Sequence, residues 1–173
     1  MIKLNLGSGP YPKEGWDSLD LVDHPGIIKH DLTTRLPYED NSVDFAFSEH
    51  FVEHLSREQG LAFLKEVRRV LKPHGTFRIV IPDLYVLAKD YVNGHLFQIP
   101  GCWEPKTTCQ MINEGFRSWG HSFLYDEQEL SLICIEAGFR YAYPKEYRQS
   151  INPELQNLEI RPFNNELIVE VVK

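Results

Sequence analysis

The sequence predicts an α/β fold built on a mostly parallel sheet. Three observations predict it: short apolar runs bounded by turn residues, capped helical stretches between several of those runs, and a Gly-x-Gly turn directly after the first run, in "LNLGSGP" at residues 4–10. Strand, helix and strand in alternation imply right-handed crossovers, and sheets of this kind bind ligands at the carboxyl ends of their strands.

Strands are expected at residues 2–6, 18–22, 27–30, 43–47, 76–81, 139–143 and 167–172, where apolar and β-branched residues run between turn signals. The clearest helix begins at Ser56, whose hydroxyl caps it while Gln59 reaches back, and it ends at the "KPHG" of residues 72–75. Leu61, Leu64, Val67 and Leu71 recur at helical spacing as its buried stripe. A second helix runs from an Asp126 cap, with Glu129 at the third position, to Gly138. The connections between the first three strands are too short and Pro-rich for full crossover helices, so helices there are expected to be trimmed or missing. Residues 84–125, with Trp103, Trp119 and many polar side chains, read as an inserted cap that selects a substrate.

Composition narrows the function. A chain of 173 residues has room for one domain, expected to span 1–173. A net charge of -7 with no long Lys/Arg run disfavours nucleic acid. Cys102, Cys109 and Cys134 form no C-x-x-C pair, which suggests neither a disulfide framework nor a thiolate zinc site and fits reduced thiols in a cytoplasmic protein. No apolar run reaches the ~18 residues of a membrane span, and no export segment is expected.

Gly7 and Gly9 remove bulk where a ligand would approach the backbone, although a plain turn uses the same residues. A dinucleotide fingerprint needs a third glycine where Pro12 stands, and a phosphate-cradling loop needs a Gly-Lys-Ser/Thr that is absent. What remains is a nucleoside without a phosphate chain, held by backbone and carboxylates. Asp20, at the end of the second strand, can accept from both hydroxyls of a ribose, or it is a solvated turn residue. Asp31 can accept from an exocyclic adenine amine while the Leu32 amide donates to a ring nitrogen, or it too is only a turn residue.

The order of these pieces, "LNLGSGP", "LDL", "HDLTTRLPYEDNSVDFAFSEHFVEHL" and "EVRRVLKPHGTFRIVIPDL", resembles the class I S-adenosylmethionine-dependent methyltransferases, specifically the type 11 methyltransferase domain. The resemblance covers residues 2–84, and "HSFLYDEQELSLICIEAGF" onward is similar to the closing helix and strand pair of that family. It implies a Rossmann-like sheet of order 3-2-1-4-5-7-6 with the last strand antiparallel, and S-adenosyl-L-methionine as cofactor. Position by position, it implies that Gly7 and Gly9 approach the methionine portion, Asp20 binds the ribose, Asp31 and Leu32 address the adenine, and Ser48 closes the site from the fourth strand. Asn5, counted with these cofactor-side residues, stands where the family usually has Asp; Tyr11 replaces a third glycine; and no helix precedes the first strand, so the segment after Leu84 is expected to do the covering.

Methyl transfer to a small-molecule or glycan acceptor, through oxygen or nitrogen, is the function this reading implies, and it needs chiefly two reactants held close and aligned. A base helps a hydroxyl acceptor. His50 and His121 are the leading candidates because an imidazole titrates near neutral pH, with Glu49 and Asp83 behind them. Two alternatives stand beside it. One is an inactive cofactor-binding partner protein. The other is a zinc hydrolase, because His50, Glu53 and His54 spell H-x-x-E-H. A catalytic zinc takes three protein ligands, and no distinctive downstream motif supplies the third, so no metal is expected and His54 reads as a packed residue ahead of the Ser56 helix.

Overall fold

The computed structural model describes residues 1–161 and 166–173. Its strands are β1 (Lys3–Leu6), β2 (Asp17–Asp20), β3 (Ile27–Lys29), β4 (Val43–Glu49), β5 (Leu71–Pro82), β6 (Tyr141–Pro144) and β7 (Glu166–Val172). Its helices are α1 (Arg57–Val70), α2 (Leu84–Val92), α3 (Thr108–Arg117) and α4 (Glu127–Glu136). The strands form one seven-stranded sheet in the order β3-β2-β1-β4-β5-β7-β6. β1 to β5 pair in parallel and β7 runs antiparallel to both its neighbours, which is the expected topology.

Local chemistry sets the helix boundaries. The Ser56 hydroxyl accepts from Gln59 N and the Gln59 side chain accepts from Ser56 N, a complete capping box at the start of α1. The buried stripe of α1 is Gly60, Phe63, Leu64, Val67 and Val70, rotated from the expected one so that Leu61 lies at its margin. The rotation brings Gly60 beneath Tyr125, whose hydroxyl would stand 2.7 Å from any Cβ added there. Asp126 caps α4 by accepting from Glu129 N, and Gly138, at φ +96°, lets Phe139 N close the helix on Cys134 O. Phe139 is thereby drawn into the core, and β6 starts two residues later than expected. The "KPHG" stretch does not end α1. Val43 pairs with Leu71 and Phe45 with Thr76, so residues 72–75 bulge out within β5.

The two faces of the sheet are covered differently. On one face Leu4, Leu6, Ala46, Phe77, Ile79, Val169 and Val171 join the side chains of α1 and α4 in the main core. On the other, Phe47, Val80 and Ile168 pack beneath Trp16, Tyr147 and Leu158. Trp16 comes from the β1–β2 connection and the rest of that cover from residues 145–161 after β6, with a short 3₁₀ turn at Pro153–Leu155, for which the sequence reading made no provision. Neither β1 and β2 nor β2 and β3 are joined by a helix, as expected from their short connections.

Arg78 holds this cover down from the middle of β5. Its guanidinium, fully buried, donates to Glu159 Oε1 and Glu170 Oε1 at 2.7 Å each and to Gln149 O at 2.8 Å. Arg78 and Glu170 face each other across the β5–β7 pair, while Glu159 comes from the covering segment. Removing the cation would leave buried Glu159 without its guanidinium partner and Glu170 with only Lys145 at 3.9 Å, which costs about 3–5 kcal/mol. Arg78→Leu is therefore expected to lower the unfolding free energy by about that amount in urea denaturation. A loss under about 1 kcal/mol, within the range of an exposed pair, would contradict the account.

Candidate functional site

The site lies where the sheet ends. After β1 the chain turns sharply through Gly7 (φ +74°) and Gly9 (φ +54°), and Gly7 N and Ser8 N both donate to Leu19 O. The Asp20 carboxylate then ties the turn to the end of β2: Oδ2 accepts from Gly9 N at 2.8 Å and Oδ1 from Val22 N at 3.1 Å. Each oxygen keeps a further lone pair. A Cβ on Gly7 would lie 2.5 Å from Phe51, whereas one on Gly9 would meet only Tyr11, at 3.8 Å. Gly7 thus faces protein and Gly9 faces open space.

The other four cofactor-side residues differ in their settings. Asn5 is buried and braces the β1–β2 connection: its Nδ2 donates to Ser18 Oγ, which also accepts from Lys13 N. Asp31 is exposed at an Asx turn, where the Thr33 hydroxyl and then the Thr33 amide hold its carboxyl below the usual range. Leu32 beside it is buried in the core. Ser48 is fully buried near the end of β4, and its Oγ has no hydrogen-bond partner among the described residues.

A cavity of about 300 Å³ opens beyond the carboxyl ends of β4 and β5 and under the 84–125 segment, at the same end of the sheet as the turn, whose residues do not line it. Leu87, Phe97, Trp103 and Trp119 give it apolar walls, and His50, His54, Asp83, His121 and Glu166 supply polar groups. Above it α2 packs on α3 closely enough that a Cβ on Gly115 would lie 2.6 Å from Leu87. The segment leaves and rejoins the sheet side by side, Leu84 N donating to Tyr125 O.

His50 occupies the left-handed region (φ +53°) at the end of β4 and is nearly buried. Its Nε2 lies 2.6 Å from Glu166 Oε1, and its Nδ1 3.2 Å from Glu53 Oε1. Burial opposes the charge, but the carboxylates of Glu166 and Glu53 outweigh it and raise the imidazole to about 9. His50 is thus held as an imidazolium, with both nitrogens engaged. His121 differs. Its Nδ1 donates to Gly115 O at 2.8 Å and burial lowers its pKa, so it is a neutral imidazole with a lone pair on Nε2. Of the other two base candidates, Glu49 accepts from the amides of Ile160 and Arg161, and Asp83 caps α2 on Tyr85 N, with burial raising its pKa.

The H-x-x-E-H stretch does not form one helical face. Only Val52–His54 makes a 3₁₀ turn, and His50 stands outside it. What the fold brings together is Glu53, His54 and His121, one ligand atom from each lying within 4.8 Å of the others. Sequence reasoning missed His121 as their neighbour because it arrives from the far end of the 84–125 segment; the histidine in "WGHSFLYD" was the available signal.

Sheet order and the antiparallel β7 give this chain the class I S-adenosylmethionine-dependent methyltransferase fold. Residues 16–79 match the family model described as a methyltransferase domain. Among solved structures, a SAM-dependent methyltransferase from Archaeoglobus fulgidus superposes with TM-score 0.61 at 16% identity, covering 99% of this chain and 85% of that one. One from Mesorhizobium loti gives 0.58 at 16%, covering 99% and 90%. The Burkholderia thailandensis 1,6-didemethyltoxoflavin-N1-methyltransferase, with bound 1,6-didemethyltoxoflavin and S-adenosylhomocysteine, gives 0.55 at 14%, covering 99% and 70%. No curated protein matches by sequence.

The two glycines separate folding from binding. Gly7→Ala combines a left-handed backbone with a collision against Phe51 and is expected to cost at least about 2 kcal/mol of stability. Gly9→Ala carries only the backbone cost of about 1–2 kcal/mol and projects its methyl into the open side of the turn. Thermal melts of both variants check this ordering, and equal losses would contradict it.

Proposed function

We propose that this chain transfers a methyl group from S-adenosylmethionine to a small acceptor seated in the cavity at the same end of the sheet as the glycine turn. The observation that carries the reading is that two features stand at the carboxyl ends of neighbouring parallel strands. One is a glycine turn latched to a carboxylate at the end of β2; the other is a largely apolar cavity beyond β4 and β5. The match of residues 16–79 to the methyltransferase-domain model supports it. Bound there, the cofactor supplies an electrophilic sulfonium methyl.

The residues present fit that cofactor. Gly9 offers backbone without bulk to the methionine portion, with Gly7 shaping the turn beneath it. Asp20 keeps a lone pair on each oxygen for the ribose hydroxyls, and Asp31 with Leu32 addresses the adenine. Ser48 brings an unpartnered hydroxyl to the end of β4, and Asn5 holds the connection that carries the turn. On the acceptor side, Trp103 and Trp119 present faces that suit a planar ring or the apolar face of a sugar. His50 contributes fixed positive charge, while His121 keeps a lone pair to accept a proton or bind a cation. Among the described residues no helix is long and apolar enough to cross a membrane, and the exposed thiols of Cys102 and Cys109 fit a reducing cytoplasm.

Calorimetry with S-adenosylmethionine and S-adenosylhomocysteine tests the reading. Saturable binding is expected, weakened at least tenfold in Asp20→Ala because charge-assisted hydrogen bonds of about 1.5–3 kcal/mol are lost. Asp20→Asn, which keeps one acceptor oxygen, should fall between. No binding at roughly millimolar ligand to folded protein would overturn the proposal, since useful cofactor sites bind well below that.

The 84–125 segment is the second part of the reading, as a cap that closes over the acceptor. Its amides are expected to exchange quickly in free protein and slowly once cofactor and acceptor space are filled, measured with S-adenosylhomocysteine as probe. Uniformly slow exchange, indifferent to the probe, would mark the segment as ordinary core.

A further inference from the structure

We infer that Glu53, His54 and His121 form a binding site for one divalent transition-metal ion of the zinc class, on the wall of the acceptor cavity. Three independent features point to it.

The first is the donor set. Two imidazoles and one carboxylate, with ligand atoms within 4.8 Å of one another, are the ligand types that hold zinc with a position left open. Ligand atoms around a tetrahedral zinc, with bonds of ~2.0–2.2 Å, stand roughly 3.3 Å apart, so each side chain has under an ångström to travel.

The second is Glu53 itself. It is fully buried, and neither carboxylate oxygen makes a hydrogen bond among the described residues. Oε1 already faces the His50 imidazolium at 3.2 Å, so it is Oε2, with no hydrogen-bond partner among the described residues, whose lone pairs remain for an ion. The third is the support behind the ligands. His121 Nδ1 donates to Gly115 O, the type of backbone contact that fixes a metal-binding imidazole and leaves its other nitrogen to coordinate. Glu53 O accepts from Ser122 N and Phe123 N at 2.8 and 3.1 Å, so the strand of cap that carries His121 is stitched to the turn that carries Glu53 and His54.

The expectation of no metal rested on a missing third ligand, and the fold supplies one. His54 and His121 both line the cavity, so the ion's remaining positions face into it. On the methyltransferase reading, on which this step alone rests, the acceptor is then a molecule that coordinates through an oxygen or nitrogen donor. A hydroxyl held that way loses its proton more readily than a free one.

The test uses untagged full-length protein, stripped with chelator and titrated with Co²⁺ as a spectroscopic probe, then with Zn²⁺. One ion per chain is expected, with visible ligand-field bands, as set by the one such cluster among the described residues. His54→Ala and His121→Ala should each weaken binding at least tenfold while keeping the far-ultraviolet circular dichroism of the parent. Cys102→Ser with Cys109→Ser should leave it unchanged. Absence of saturable Co²⁺ and Zn²⁺ binding to the parent protein would overturn the site without any variant, and so would binding that survives both histidine changes. Calorimetry of the metal-free protein with S-adenosylhomocysteine, run alongside, separates the two proposals: cofactor binding without metal binding removes only this one, and metal binding without cofactor binding removes only the methyltransferase reading.

Discussion

The constraint on which the rest of the structure depends is the burial of Arg78 in the centre of the sheet. A guanidinium cannot stay dry without partners, and this one has an acid on the facing strand and another on the chain above. The cross-strand pairing with Glu170 also pins register. A slip of one residue between β5 and β7 would turn Arg78 toward the face where Phe77 and Ile79 pack against α1 and α4. The same side chain therefore chooses which residues of two strands face the main core and which face the covering segment.

That cover lets the chain omit helices. A full crossover after β1 would occupy the face that Tyr147 and Leu158 now pack against. Instead, ten residues from Gly7 to Trp16 suffice, held by Asn5, Ser18 and Lys13, and Trp16 lies down on the sheet at the end of them. Glu49 links this arrangement to the site: it accepts from the amides of Ile160 and Arg161, so the cover ends against the strand end that carries His50. The position of the site at the sheet edge is thus a consequence of how the far face is closed.

What was legible in the sequence follows the range of the interactions. Capping at Ser56 and Asp126 and the terminator at Gly138 are contained within a few residues, and each is in place. Strand positions are also local, whereas the order of the strands came through resemblance, because pairing is decided by packing between distant residues. The Arg78 network escaped notice although its signal was present: an arginine inside "TFRIVIP" and a glutamate inside "LIVEVV" are charges in otherwise apolar strands, and such charges need each other. The site shows the same division. The glycine turn and Asp20 adjoin as expected, since strands that neighbour in sequence pair in space. His50 departs, because its neighbour Glu166 comes from the opposite end of the chain and converts it from a free imidazole to a paired cation.

Two non-glycine residues in the left-handed region, His50 and Trp119, stand on the wall of the cavity, each at a backbone cost of about 1–3 kcal/mol. His50 belongs to the end of β4 and Trp119 to the 84–125 segment. On one side, His121 rides on a strand of chain whose amides are bonded to Glu53 O, and His54 lies against its ring at a centroid distance of 5.1 Å. On the other, Phe97, Trp103 and Trp119 meet edge to face, with the Trp103 indole N–H donating to Glu114, and Trp119 also stands 5.5 Å from the His121 ring. The histidine wall is therefore tied to the sheet edge through Glu53 O, and Trp119 joins it to the aromatic cluster. A displacement of the aromatic wall at Trp119 thus also changes the packing of the His121 ring, so the polar and apolar walls of the cavity are not independent.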